Sequence, residues 1–181
     1  MREVLFFVFV LSFFSACSSS KTVKDKDLNF LKARKGTSWV YEGKLLGEKR
    51  DITIKITKAE GKKFTDNKGQ VYIKDENGYK NEYYYQIRYP LKKGATWVNK
   101  TDKDTEVATI EDVSVKFKFG DDEIKNCIKV SYVKGFDNGA RSIVLRTFCP
   151  DLWLVKMETY YETYEGVATK QSEFILKSFV Y

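Results

Sequence analysis

The feature that most constrains this chain is a recurring alternation of apolar and polar residues with a period of two. In Asp51–Thr57, "DITIKIT", Ile52, Ile54 and Ile56 share one face, and Asp51, Thr53, Lys55 and Thr57 share the other. In "NEYYYQIRYP", Tyr83, Tyr85, Ile87 and Tyr89 separate from Glu82, Tyr84, Gln86 and Arg88. In "VSVKFKF", Val113, Val115, Phe117 and Phe119 oppose Ser114, Lys116 and Lys118. In "WLVKMETYYETY", Trp153, Val155, Met157, Thr159 and Tyr161 oppose Lys156, Glu158, Tyr160 and Glu162. A helix scatters such residues around its axis, whereas an antiparallel strand with one buried face sorts them directly. Turn signals separate the runs: Gly47-Glu48, Glu60-Gly61, Asn67-Lys68-Gly69, Glu76-Asn77-Gly78, Gly120-Asp121, Asp137-Asn138-Gly139 and Glu165-Gly166. The pattern predicts an all-β fold of about 9–11 strands, an antiparallel meander closed as a barrel or packed as a sandwich. One short helix is expected over Asp27–Lys35, "DLNFLKARK", with Asp27 as N-cap and Gly36 as its stop.

One segment occurs twice. "KGTSWV", Lys35–Val40, returns as "KGATWV", Lys93–Val98, and each is followed by a strand opening on Asp, at Asp51 and at Asp112. Glycine tolerates the positive φ needed to turn the chain into a strand, and a Trp three residues later then buries its ring. Two related halves around one core are therefore expected, with Trp39 and Trp97 pointing inward. The sharper alternative is a paired-aromatic ligand clamp, with Tyr83, Tyr85 and Tyr89 as further candidate ligand-facing rings.

The first residues, "MREVLFFVFVLSFFSACSSS", carry Arg2 and then an apolar run from Val4 to Phe14. The run is too short for a bilayer span of about 20 residues and fits the apolar core of a secretory signal peptide. Phe14-Ser15-Ala16-Cys17 resembles the lipobox of bacterial lipoproteins, in which small residues precede an invariant Cys. Phe14 stands where Leu is usual, and Glu3 places an acid in the basic region. The competing expectation is an ordinary signal peptide cut after Ser18. The lipobox resemblance implies a signal peptide over residues 1–16 and lipidation of Cys17 on sulfur and nitrogen, palmitate-type acyl chains included. Each buried CH₂ then contributes roughly 0.8 kcal/mol to anchoring. It also implies a lipidated polar tether over 17–27 and a single antiparallel β domain over 28–181. Ser18 after the Cys, rather than Asp, resembles the sorting pattern of outer-membrane lipoproteins, so the expected location is the bacterial cell envelope, lipid-anchored at the outer membrane.

Two further cysteines, Cys127 and Cys149, lie equally far from Asn138, the centre of the Asp137-Asn138-Gly139 turn. In a hairpin centred there they are directly opposed, with Cα atoms about 4.5–5.5 Å apart, within disulfide reach. An exported location permits the bond.

The sequence contains no histidine. That removes His-based triads and the usual proton shuttle. The cysteines have no base to activate them. "DKDTE", Asp102–Glu106, resembles the start of a calcium loop but has Val107 where Gly is required and Val113 where Glu is required. "GDDE", Gly120–Glu123, reads as a solvated turn. No catalytic residues, metal site or cofactor are expected, and the chain is read as a non-enzyme. Its net charge of +7, from 32 Lys and Arg against 25 Asp and Glu, is spread along strands. That charge allows an anionic surface polymer as partner, while nucleic acid is not expected.

Three functions fit these residues. The first is a lipid-anchored, non-enzymatic envelope protein acting by contact with an envelope protein or surface, attached to the membrane through its lipid. The second is a carrier of an apolar ligand in a β-barrel cavity; the third is a periplasmic enzyme inhibitor. For the second, Gly36-Thr37-Ser38-Trp39 resembles the lipocalin opening Gly-x-Trp, with one residue more and no Arg in the last strand to pack on the Trp. The anchoring and composition also resemble the open half-barrels of lipoprotein carriers.

Overall fold

A computed structural model describes residues 28–101 and 104–181. The expected signal peptide, the lipobox, Cys17 and the tether lie outside the described residues. The first six strands are β1 (Ser38–Leu45), β2 (Glu48–Glu60), β3 (Lys63–Asp66), β4 (Val71–Asp75), β5 (Gly78–Lys80) and β6 (Tyr85–Arg88). The next six are β7 (Thr96–Lys100), β8 (Thr105–Phe119), β9 (Asp122–Gly135), β10 (Arg141–Cys149), β11 (Trp153–Glu162) and β12 (Ala168–Val180).

All twelve form one antiparallel sheet in the order β6-β5-β4-β3-β2-β1-β12-β11-β10-β9-β8-β7. Every strand pairs with its chain neighbours except across β6 and β7, and β1 also pairs with β12, so the meander curls around on itself. The two free edges, β6 and β7, are consecutive in the chain. Side chains bridge them: the Trp97 indole and the Asn99 amide each donate to the Tyr85 carbonyl at 3.1 Å, and the Tyr132 hydroxyl donates to Gln86 O. The result is an all-β, nearly closed barrel.

Each of the seven glycine-marked turns falls between consecutive strands. The strand count exceeds expectation because β3 and β5 have four and three residues, too few to display an alternation. The helix expected over Asp27–Lys35 is absent from its described part. The backbone there is used elsewhere: Phe30 N donates to the Tyr79 hydroxyl, and Asn29 O accepts from Asp151 N at 2.7 Å. Burial of Phe30 and Leu31 against both halves of the barrel outweighs the local helical tendency.

The repeated hexapeptide marks the same structure twice. Gly36 N donates to Ile56 O at 2.9 Å and Ile56 N donates to Thr37 O at 2.8 Å; Gly94 N donates to Ile110 O at 2.8 Å and Ile110 N donates to Ala95 O at 2.9 Å. Gly36 and Gly94 have φ of 97° and 82°, which a side chain would strain. Trp39 and Trp97 follow at 1% and 5% exposure. The two halves, β1–β6 and β7–β12, thus open alike. The equivalence of Asp51 with Asp112 fails, however. Trp39 pairs with Ile54 and Trp97 with Ala108, so Asp112 lies further along its strand, where register shifts follow. Turn length sets hairpin register, and the two turns differ.

Candidate functional site

The interior is built by the alternation itself. Ile52, Ile54 and Ile56 of β2 face inward beside Trp39 and Tyr41 of β1, and Met157 of β11 pairs with Phe174 of β12. Between them lies a cavity of about 240 Å³. Its wall also includes Leu31, Tyr72, Trp153 and Leu154, and Lys68 from the β3–β4 turn is its one charged residue. An engineered cavity of about 150 Å³ already admits benzene, and drug-sized pockets start near 300 Å³. The space suits one short apolar chain or a single ring.

Polar atoms in the wall are spent on structure. The Trp39 indole donates to Leu152 O at 2.7 Å and the Tyr41 hydroxyl to Leu154 O at 2.8 Å. The Tyr72 hydroxyl donates to Asp66 Oδ2 at 2.9 Å, while Asp66 Oδ1 accepts the amides of Lys68 and Gln70. Burial pushes the Tyr41 phenol well above its ordinary pKa, aided by Tyr72. Burial does the same to Tyr72, reinforced by Asp66. Both phenols are therefore neutral at physiological pH.

Trp153 enters β11 with a φ of 67°, uncommon for a bulky residue. That conformation sets its ring among Phe148, Tyr79 and Tyr72, at centroid distances of 4.9, 5.5 and 6.0 Å. Where a lipocalin-like barrel would pack an arginine on Trp39, this chain places Phe179, at 5.7 Å.

The five candidate aromatic rings do not form one site. Trp39 lines the cavity. Tyr83 is not in a strand: it stands 69% exposed in a groove that shares Ile54, Lys68 and Tyr72 with the cavity wall. The Asn81 side chain explains this, because its Oδ1 accepts the amides of Tyr83 and Tyr84 and bends the chain before β6. Trp97 and Tyr85 meet at the barrel seam. Tyr89 packs edge-on against Tyr79 at 6.4 Å. Hence Trp39 and Trp97 are not two jaws of one clamp.

Sequence reasoning missed Tyr41, Tyr72, Phe174 and Lys68 as wall residues. It did place Ile52, Ile54 and Ile56 on one face, and Trp153 with Met157 on another. Which faces converge depends on the β1–β12 closure, for which no local signal exists.

Cys127 and Cys149 are bonded, at the end of the β9–β10 hairpin. Pairing runs without a slip from Arg141 opposite Gly135 to Phe148 opposite Ile128, which keeps the register centred on Asn138. Among the described residues, no group of three His, Cys, Asp or Glu side chains is placed to hold a metal. In the β7–β8 turn, Thr101 N donates to Asp104 O at 2.8 Å and Asp104 N donates to Thr101 Oγ1 at 3.1 Å.

No protein-family model and no curated protein matches the chain. Among solved structures, a candidate lipoprotein of Parabacteroides distasonis is similar over 84% of this chain and 99% of its own, with 13% identity and a TM-score of 0.46. A candidate exported protein of Bacteroides fragilis with a YmcC-like fold is similar over 85% of this chain and 100% of its own, with 9% identity and a TM-score of 0.48. Likeness at this level assigns neither ligand nor activity.

Proposed function

We propose that this chain is a lipid-anchored protein of the bacterial cell envelope, held at the outer membrane through Cys17, that binds an apolar ligand in its barrel and catalyses nothing. The cavity carries the ligand reading. About 240 Å³ of accessible space, bounded by Trp39, Tyr41, three isoleucines, Met157 and Phe174, is more than a close-packed interior leaves unfilled. Its wall shares Ile54, Tyr72 and the exposed Lys68 with the groove of Tyr83, and we take Lys68 as its mouth. The lipobox resemblance supports the anchor, and the absence of histidine supports a binding role over a catalytic one.

A dye-binding titration tests the carrier reading. N-phenylnaphthylamine should bind the full chain saturably, with energy transfer from tryptophan, and Ile54→Trp should abolish binding by filling the cavity. Absence of saturable binding to the folded wild type would overturn it.

A second reading, action by contact with a protein or an anionic surface polymer, rests on a different observation. Phe136 and Tyr161 pack at 6.4 Å and remain exposed beside Tyr164 and Val167, at the barrel end formed by the β9–β10 and β11–β12 turns. Exposed aromatics of this kind are enriched at binding surfaces. Serine substitution of Phe136 and Tyr164 should weaken recovery of partners in an envelope pulldown; unchanged recovery counts against contact through this patch.

A further inference from the structure

The strand "RSIVLRTFC" carries one inward charged residue outside the cavity wall. Arg146 shares its strand face with Val144 and Phe148, and sits opposite Val130 of β9 and Met157 of β11, both interior. Its guanidinium lies over the Tyr132 ring at 4.8 Å. It is not itself a wall residue, but it stands next to the cavity: Met157, directly opposite it, lines the wall, and its charge acts on Tyr72, another wall residue.

Among the described residues this arginine makes no ion pair, and its Nε is buried without a hydrogen-bond partner. Asp66 is occupied by Tyr72 and two backbone amides, and Glu106 accepts from Asn99 at 3.1 Å. The nearby phenols give no charge: burial holds Tyr72 and Tyr132 protonated, and Tyr132, whose hydroxyl donates to Gln86 O, offers the guanidinium only a neutral oxygen. A guanidinium has five donors and stays charged at any relevant pH. Arg146 is half-buried, and the ring face beneath it offsets part of the hydration lost at Nε. A methionine or leucine at this position would leave no buried nitrogen unpaired. A cation retained there, beside an apolar cavity, is suited to an anion brought in with an apolar ligand.

We infer that the barrel selects single-chain amphiphiles with an anionic head, the acyl chain lying in the cavity and the carboxylate or phosphate pairing with Arg146. This rests on the carrier reading above. A planar, two-oxygen acceptor matches the guanidinium fork. Lys68, at the mouth, is the other cation the head could meet. It is exposed and water can solvate it, so it offers less discrimination between heads.

The test uses the full chain in phosphatidylcholine vesicles and reads quenching of tryptophan by bromo-octanoate and by bromo-octanol, with octyl phosphate and octylamine as competitors. Wild type should prefer the carboxylate over the alcohol by roughly 10- to 100-fold, the equivalent of one charge-assisted hydrogen bond. Octyl phosphate should compete and octylamine should not; the stronger of carboxylate and phosphate identifies the head. Arg146→Met should remove the preference while leaving alcohol binding, and Arg146→Lys should restore part of it. Equal binding of both probes to wild type overturns the inference and leaves the carrier reading intact. Binding of neither overturns the carrier reading itself. A preference that survives Arg146→Met but is lost in Lys68→Met moves the head to the mouth and overturns the assignment to Arg146. Because the wild-type comparison decides the head-group question alone, a variant that fails to fold does not remove the test.

Discussion

The indole of Trp39 donates a hydrogen bond of 2.7 Å to the carbonyl of Leu152, joining the first strand to the β10–β11 turn across 113 residues of sequence. The ring is also a wall of the cavity, so one side chain serves closure and site together. Trp97 does the equivalent at the β6–β7 seam, through Tyr85 O.

Truncating either ring should therefore be severe. Trp39→Ala and Trp97→Ala are each expected to lose about 3–5 kcal/mol, as for other large buried aromatics. Trp39→Phe keeps most of the packing but strands a buried carbonyl, for about 1–3 kcal/mol. Urea midpoints measure both, and iodide should quench neither ring in the folded protein. A Trp97→Ala midpoint equal to wild type would refute its role in closing the barrel.

The disulfide closes a loop spanning 22 residues in sequence. On the chain-entropy account such a loop contributes about 3 kcal/mol. Intact mass should rise on alkylation only after reduction, and Cys127→Ser with Cys149→Ser should lower the urea midpoint accordingly. Two thiols that alkylate in the native, unreduced protein would contradict the bond.

That hairpin was legible because period, turn and cysteine spacing all point to one register. The long β2, β8 and β11 were legible for the same reason: each buries one face over enough residues to show it. What stayed hidden depends on contacts distant in sequence. β3 and β5 are too short to carry a pattern, and the β1–β12 pairing that joins the two halves into one sheet has no local signature. The Phe30 segment reads as helix because the hydroxyl and the amide that claim its backbone belong to Tyr79 and to Asp151 in the β10–β11 turn. Arg146 left a trace, a basic residue on the Val144–Phe148 face, but one charge among 32 Lys and Arg does not stand out without the barrel around it.

The pH dependence of stability should centre on four side chains of β11 and β12. Glu158 and Glu173 are directly paired across the strands, a repulsive arrangement alone. Lys156 and Lys170 each bridge both, at 2.8–3.4 Å. Burial pushes the Glu158 carboxyl up, but the Lys170 hydrogen bond and the Lys156 charge outweigh it and hold it below its ordinary 4.5. The hydrogen bond to Lys156 likewise lowers Glu173. The hydrogen bond to Glu158 holds Lys170 above its ordinary 10.5. The carboxylates thus stabilise fully above about pH 4.5 and lose this as pH falls through their folded values. The lysine contribution is complete below about pH 10.5 and is lost as pH rises through the folded value. Glu158→Gln should cost about 1 kcal/mol on that plateau and flatten the acid limb of a urea-midpoint profile. An acid limb identical to wild type would show that other carboxylates control it.

The lipid anchor has a direct test. Cys17→Ala should abolish incorporation of a fatty-acid analogue and release the chain from membranes, since lipobox processing depends on that sulfur. Label retained in the variant would defeat the lipoprotein reading, and wild-type recovery solely with inner membranes would defeat the outer-membrane assignment.

The β1–β12 closure should depend on one glycine. Gly43 pairs with Phe174, and a Cβ built there would lie 2.6 Å from Phe174 Cδ1 and 2.8 Å from Phe174 Cα, with Glu173 O closer still. Backbone cannot yield as a side-chain tip can, so Gly43→Ala must part the two strands or displace Phe174. A cost of about 3 kcal/mol, the upper end for overpacking, is expected. Because Phe174 is a cavity wall, dye binding should fall even in the fraction that folds. Gly135 supplies the control, since a Cβ there meets nothing within 4 Å and its φ is not positive. Gly135→Ala should change stability by no more than about 0.5 kcal/mol. If Gly43→Ala matched Gly135→Ala in urea midpoint and bound dye normally, the β1–β12 closure could not be as tight as this pairing requires.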